Sequence, residues 1–194
     1  MISQQSKKIQ ILEHEQRFAH AVSDNIIKKP QMTVWMILIP IILVYHMYRY
    51  QRYVKGRNSF AENYLIDRRR ALEEAYSSFV DNRNPDFTGL VEMSNVPDRA
   101  KEKYKAWIET MVRHYRLLFN TKGDNYDALI RSSYKNRANY LLFLNKLNDV
   151  ETQLNAALKP CLEETAENVD GIIFRMGKCS EELRKDQAAR IFSV

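Results

Sequence analysis

Glycine, proline and cysteine are scarce in this chain of 194 residues, at five, five and two respectively. Five unclustered glycines exclude a glycine-rich loop that could cradle a phosphate. Cys161 and Cys179 do not make a disulfide framework, and two thiols alone do not make a metal site. Both are expected as reduced, buried or half-buried thiols, in keeping with a cytoplasmic domain. No His-Glu-x-x-His motif occurs, nor the Glu-x-x-His pair from which helical bundles build di-iron sites. Strand-like alternation and fixed-period repeats are missing too. Without these signatures no catalytic residue and no cofactor is assigned, and the balance tilts away from an enzyme.

What is present is a basic chain with one apolar run. The formal charge is +6, of which residues 1–31 carry +2 and residues 32–83 carry +3. The excess therefore gathers around the run, as contact with anionic lipid headgroups requires, while the distal part is nearly neutral. Nucleic acid is not an expected partner, because its binders concentrate charge on a reading surface.

The run is Met32 to Tyr48, and its uncharged centre is Val34, Trp35, Met36, Ile37, Leu38, Ile39, Pro40, Ile41, Ile42, Leu43, Val44 and Tyr45. These twelve are assigned as membrane-embedded. Trp35 at one end and Tyr45, Tyr48, Tyr50 and Tyr53 at the other suit headgroup depth. Lys28 and Lys29 before the run, with Arg49, Arg52, Lys55 and Arg57 after it, are assigned to the lipid headgroups. As a helix the run measures roughly 25 Å against a hydrocarbon core of about 30 Å, short for a span. Pro40 at its middle predicts a kink, or a break that returns the chain to the side it came from. The heavier basic flank on the C-terminal side favours a single crossing with that side cytoplasmic, and a re-entrant form is the other geometry. A buried helix of a soluble domain competes with both, but tyrosines packed among arginines do not suit a soluble core helix. The run starts too far into the chain, and lacks a small-residue cleavage site, for a cleavable signal peptide.

Elsewhere the apolar residues recur at helical spacing. Ile2 to Ile27 reads as an amphipathic helix on Ile11, Phe18, Val22 and Ile26, with Lys7, Lys8, Glu13, Glu15 and Arg17 on its polar side. Its mixed charge suits packing against protein at least as well as lying among lipids. A second helix follows on Phe60, Tyr64, Ala71, Leu72, Ala75, Tyr76 and Phe79, with Arg68, Arg69 and Arg70 expected on a solvated face beside Glu73 and Glu74. Asp81 to Pro97 reads as a long loop that packs down through Phe87, Leu90, Val91 and Met93. From Asp98 a helix is predicted on Tyr104, Ile108, Met111, Tyr115 and Leu118, stopped at Gly123, with Asp124 as the next cap. The longest helix is expected over Asn125 to Lys159, on Tyr126, Ile130, Tyr140, Leu144, Leu147, Leu154 and Leu158. Ser133, Arg137 and Glu151 fall on its near-heptad seam and favour a bundle over a strict two-stranded coiled coil. Pro160 is expected to bend or end it, before a last helix from about Leu162 to Arg190.

The expected fold is all-α: an amphipathic helix over residues 1–31, a membrane helix with a central proline and its basic aromatic collar over 32–57, and a cytoplasmic bundle of about four long helices over 58–194. Of the four histidines, His14 and His20 are too far round the first helix to share a metal, and His114 reads as a partly buried, hydrogen-bonded core histidine. His46, near the membrane boundary, is the weak candidate for a haem ligand. The function expected is a membrane-anchored interaction or scaffold protein, an accessory subunit of a membrane-associated complex. Its partners would be the lipid bilayer and other proteins, self-association included. The rival is a cofactor-binding or enzymatic membrane subunit whose site forms on assembly.

Overall fold

The computed structural model describes residues 2–27, 57–94, 96–163 and 169–193. The apolar run expected as a membrane helix, its basic flanks and the haem candidate His46 lie outside the described residues, apart from Arg57. The described residues are all-helical, with seven helices and no strand. They are α1 (Gln4–Ile27), α2 (Arg57–Val80), α3 (Phe87–Glu92), α4 (Asp98–Asn120), α5 (Tyr126–Tyr134), α6 (Arg137–Glu163) and α7 (Val169–Phe192). No helix among the described residues is long and apolar enough to cross a membrane.

The predicted stripes become the core. Tyr104, Ile108, Met111, Tyr115 and Leu118 of α4 are buried, together with Trp107, Val112 and Phe119. They meet Tyr140, Leu144, Leu147, Leu154 and Leu158 of α6 and Ile11 of α1 in one continuous cluster. Tyr76 and Phe79 of α2 pack edge-on and tilted against Phe119, with centroids 5.6 and 5.9 Å away. The four long helices α2, α4, α6 and α7 thus form the bundle, and α1 packs along it.

Pairwise contacts fix the direction of each helix. Arg68 pairs with Glu15 and Lys8 with Glu73, so α1 runs antiparallel to α2. Tyr104 bonds Asp67 and Arg116 bonds Ser78, so α4 runs parallel to α2 and the chain over 81–97 must travel the length of the bundle between them. Glu151 meets both Trp107 and Arg184, while Tyr140 meets Phe192, which sets α6 antiparallel to α7.

Several local expectations are corrected. Asp81 to Pro97 is not wholly loop: the Asp86 carboxylate accepts from the Gly89 N–H (2.9 Å) and starts α3, and Leu90 and Val96 seal it to the core. The long helix is two, because Lys135 sits at φ 68°, a positive value that a right-handed helix does not use, and Asn136 caps the next helix by accepting from the Asn139 N–H. Of the two expectations for Pro160, a bend or an end, the end is excluded, because α6 continues to Glu163. Asn125, not Asp124, caps α5, accepting from Ala128 N–H at 2.9 Å. Nor is Gly123 the stop of α4, which ends at Asn120 with Thr121 as its cap; Gly123 answers to space, since a Cβ there would stand 2.7 Å from the Leu129 nitrogen and 2.9 Å from the Ala128 carbonyl carbon.

Because the obstructing atoms at Gly123 are backbone, Gly123→Ala must push α5 off α4. It is expected to lower stability by about 1–3 kcal/mol, read as a fall in the urea midpoint at unchanged slope.

Candidate functional site

Alternating charges cross the middle of the bundle. Arg68 of α2 donates from Nη1 to Glu15 Oε2 of α1 (2.8 Å) and from Nη2 to Glu151 Oε1 of α6 (2.9 Å). Arg184 of α7 grips the same Glu151 with both nitrogens, at 2.7 and 2.8 Å, and also bonds Asn148. Trp107 Nε1 adds a longer contact of 3.4 Å to Glu151. Arg68 and Arg184 are only 5% and 4% exposed, so these charges are withdrawn from water. Two acids and two bases leave the chain of charges neutral, which is the condition for tolerating it in a low-dielectric interior.

This overturns two readings of the sequence. Arg68 is not on a solvated face: it is buried, while Glu73 and Glu74 turn to Lys8 and Arg83. Arg70 pairs with the buried Asp67, which also accepts from Tyr104 at 3.1 Å. Likewise Lys7 and Glu15 are buried instead of lying on the polar side of α1. The Lys7 ammonium donates to the Phe119 carbonyl (2.8 Å) and to that of Thr121, capping the C-terminal end of α4 where a cation is favoured.

Two histidines stand beside the charges. His14 stacks on Tyr126 with centroids 3.7 Å apart and contacts the Gln187 amide at 3.1 Å. His114, as expected, is a buried hydrogen-bonded core residue: Nδ1 lies 2.7 Å from the Tyr134 hydroxyl, and its ring stacks on Phe143 at 4.3 Å. Burial drives both rings toward the neutral form, His14 to about 4 and His114 to about 3. Burial, the largest single influence, pushes Glu15 and Glu151 up, but the neighbouring groups together, Arg68 foremost on the first and Arg184 on the second, hold both carboxylates below their ordinary value. Desolvation raises the Tyr126, Tyr134 and Tyr140 hydroxyls, which stay protonated.

These side chains enclose a cavity of about 30 Å³, between His14, Glu15, Arg68, His114, Tyr140 and Arg184 among others. That is room for a water and far below the few hundred Å³ of an organic ligand site. A second hollow of about 200 Å³ opens beside Ile2, Lys7, Lys122, Gly123 and Asp124, where the Lys7 ammonium is already committed to carbonyls. Among the described residues no group of His, Cys, Asp or Glu has metal-binding geometry. His20 is exposed and apart from His14, and Cys179 is half-buried. The seam position of Glu151 was the one signal in the sequence that an acid lay inside. The chain matches no protein-family model, no curated protein and no solved structure.

Removing Glu151 leaves two buried guanidinium groups without their shared acid. Glu151→Ala is expected to cost about 3–5 kcal/mol, whereas Asp81→Ala, at an exposed 3.7 Å contact with Arg83, is expected to change stability by less than about 1 kcal/mol. Urea unfolding of the two variants distinguishes a buried charge chain from a surface one.

Acid should undo the interior in a definite order. The unfolded histidines protonate near 6.5 and the folded ones at about 4 and about 3, so below pH 6.5 the unfolded state binds more protons. Stability is full above pH 6.5 and falls with pH, by on the order of 3 kcal/mol per histidine by pH 4. Glu15 and Glu151 add to the loss only below the ordinary carboxylate value of 4.5. A pH series of unfolding midpoints is expected to show the first decline between pH 6.5 and 5, and His14→Gln/His114→Gln to flatten that part.

Proposed function

We propose that the chain is a membrane-anchored helical interaction protein, a scaffold or accessory subunit of a membrane-associated complex, with its bundle on the cytoplasmic side. The observation that carries this is the uncharged run Val34 to Tyr45, set between Lys28 and Lys29 on one flank and Arg49, Arg52, Lys55 and Arg57 on the other. Support for a binding role over a catalytic one comes from the interior: its acids and bases are spent on one another, and the space between them admits water. A protein built this way has rigidity to offer, and surfaces on which other proteins assemble. Those proteins and the lipid bilayer are the proposed partners, with self-association included.

The test is fractionation. The full chain is expected to sediment with membranes and to resist high salt, while a variant with residues 34–45 replaced by a Gly/Ser linker is expected in the supernatant with its helical circular dichroism intact. A full chain that stays soluble without detergent removes the anchor. One that sediments, but runs as a free monomer after gentle solubilisation, removes the scaffold role.

A further inference from the structure

The two helices that flank the apolar run lie side by side and point in opposite directions. Three contacts spaced along them establish this: Lys8 with Glu73 at 2.6 Å, Glu15 with Arg68 at 2.8 Å, and the buried apolar pair Ala19 and Leu65. Beyond Ala19, α1 continues to Ile27, and before Leu65, α2 begins at Arg57. At 1.5 Å per residue each extension is roughly 12 Å, so both helices stop at nearly the same level, a helix diameter apart. The last residue of α1, Ile27, and the first of α2, Arg57, therefore lie at one end of the bundle.

Nor is α1 a detachable arm. Ile11, Glu15, Ala19 and Val22 are buried, Glu15 is one of the two acids that neutralise Arg68, and Lys7 caps α4. His14 stacks on Tyr126 of α5. A chain that crossed the bilayer once would hold α1 in the opposite compartment from α2, and every one of these contacts would be lost.

Resting on the membrane-anchored reading above, we infer that the apolar run enters and leaves the bilayer from one face, so that α1 and the bundle share one compartment. The partner is a lipid surface, met by the end of the bundle where α1 stops and α2 starts. The charges agree. In a single crossing Lys28 and Lys29 would lie on the far side, against the tendency of basic residues to remain cytoplasmic. Entry and exit on one face places both basic flanks in the same headgroup layer. Length agrees too, since Met32 to Tyr48 is short for a span, and Pro40 stands where a returning chain must turn.

Accessibility decides it. In a Cys161→Ser/Cys179→Ser background, Gln5→Cys reports on α1 and Asp186→Cys on α7; both positions are exposed. Spheroplasts of a bacterial expression host are treated with a membrane-impermeant maleimide, before and after detergent, and the sedimented protein is scored. The expected result is that both cysteines behave alike, protected together until detergent or labelled together without it. If one is labelled and the other protected, the inference is overturned while the anchor stands. If the protein does not sediment, anchor and inference fall together. Glu13→Cys and Glu182→Cys, also exposed, repeat the measurement if either first variant fails to fold.

Discussion

Glu151 is the acid on which the bundle closes. Two guanidinium groups from different helices, Arg68 and Arg184, converge on its carboxylate, and Arg68 reaches on to Glu15. Four of the five long helices are thereby tied across one cross-section, and the fifth, α4, adds the Trp107 contact. Desolvating these groups costs several kcal/mol per ion, and their mutual attraction offsets it only when each is satisfied. Apolar side chains of equal volume would fill the same space at no worse net stability, so the physical effect of the charges is to fix which helix faces which, and at what height.

The aromatic layer beside them follows from the same demand. Once Glu15 and Arg68 are inside, whatever borders them must be polarizable, hydrogen-bonding at one edge and apolar at the other. Tyr126, Tyr134, Tyr140, His14 and His114 meet that description, and stack on one another and on Phe143. The histidines stay neutral because burial outweighs the pull of Glu15, so they stabilise the layer as aromatic hydrogen-bonding groups and not as cations.

Apolar stripes were readable because a period of three to four residues leaves a direct imprint on the sequence, which is why the α4 and α6 core was recovered residue by residue. Buried charge leaves no such imprint. Arg68, Arg69 and Arg70, followed by Glu73 and Glu74, form the same pattern whether they face water or the interior; the burial of Arg68 depends on α1, more than fifty residues earlier in its pairing with Glu15. Lys7 and Glu15 were misread for the same reason. The break at Lys135 was missed because a lysine is a poor advertisement for positive φ, although Asn136, the cap of the next helix, was a signal the sequence carried. Gly123 was read as the stop of α4, which instead ends at Asn120 with Thr121 as its cap; the glycine answers to the approach of α5, packing that the sequence does not display.

Register connects this interior to the proposed lipid contact. If α1 slid by one turn along α2, Glu15 would face Leu72 or Tyr64, and Arg68 would lose its partner on α1. Such a slip would also shift the end of α1 against the start of α2 by about 5.4 Å, a distance comparable to the 5–10 Å to which an interfacial segment is buried. An all-apolar seam between the two helices would resist that slip weakly, because leucine against alanine packs acceptably in more than one register. A buried acid matched to one arginine permits a single height. The charge pairs therefore set the levels at which α1 ends and α2 begins, and the one-sided entry into a lipid surface inferred above depends on those two levels being the same.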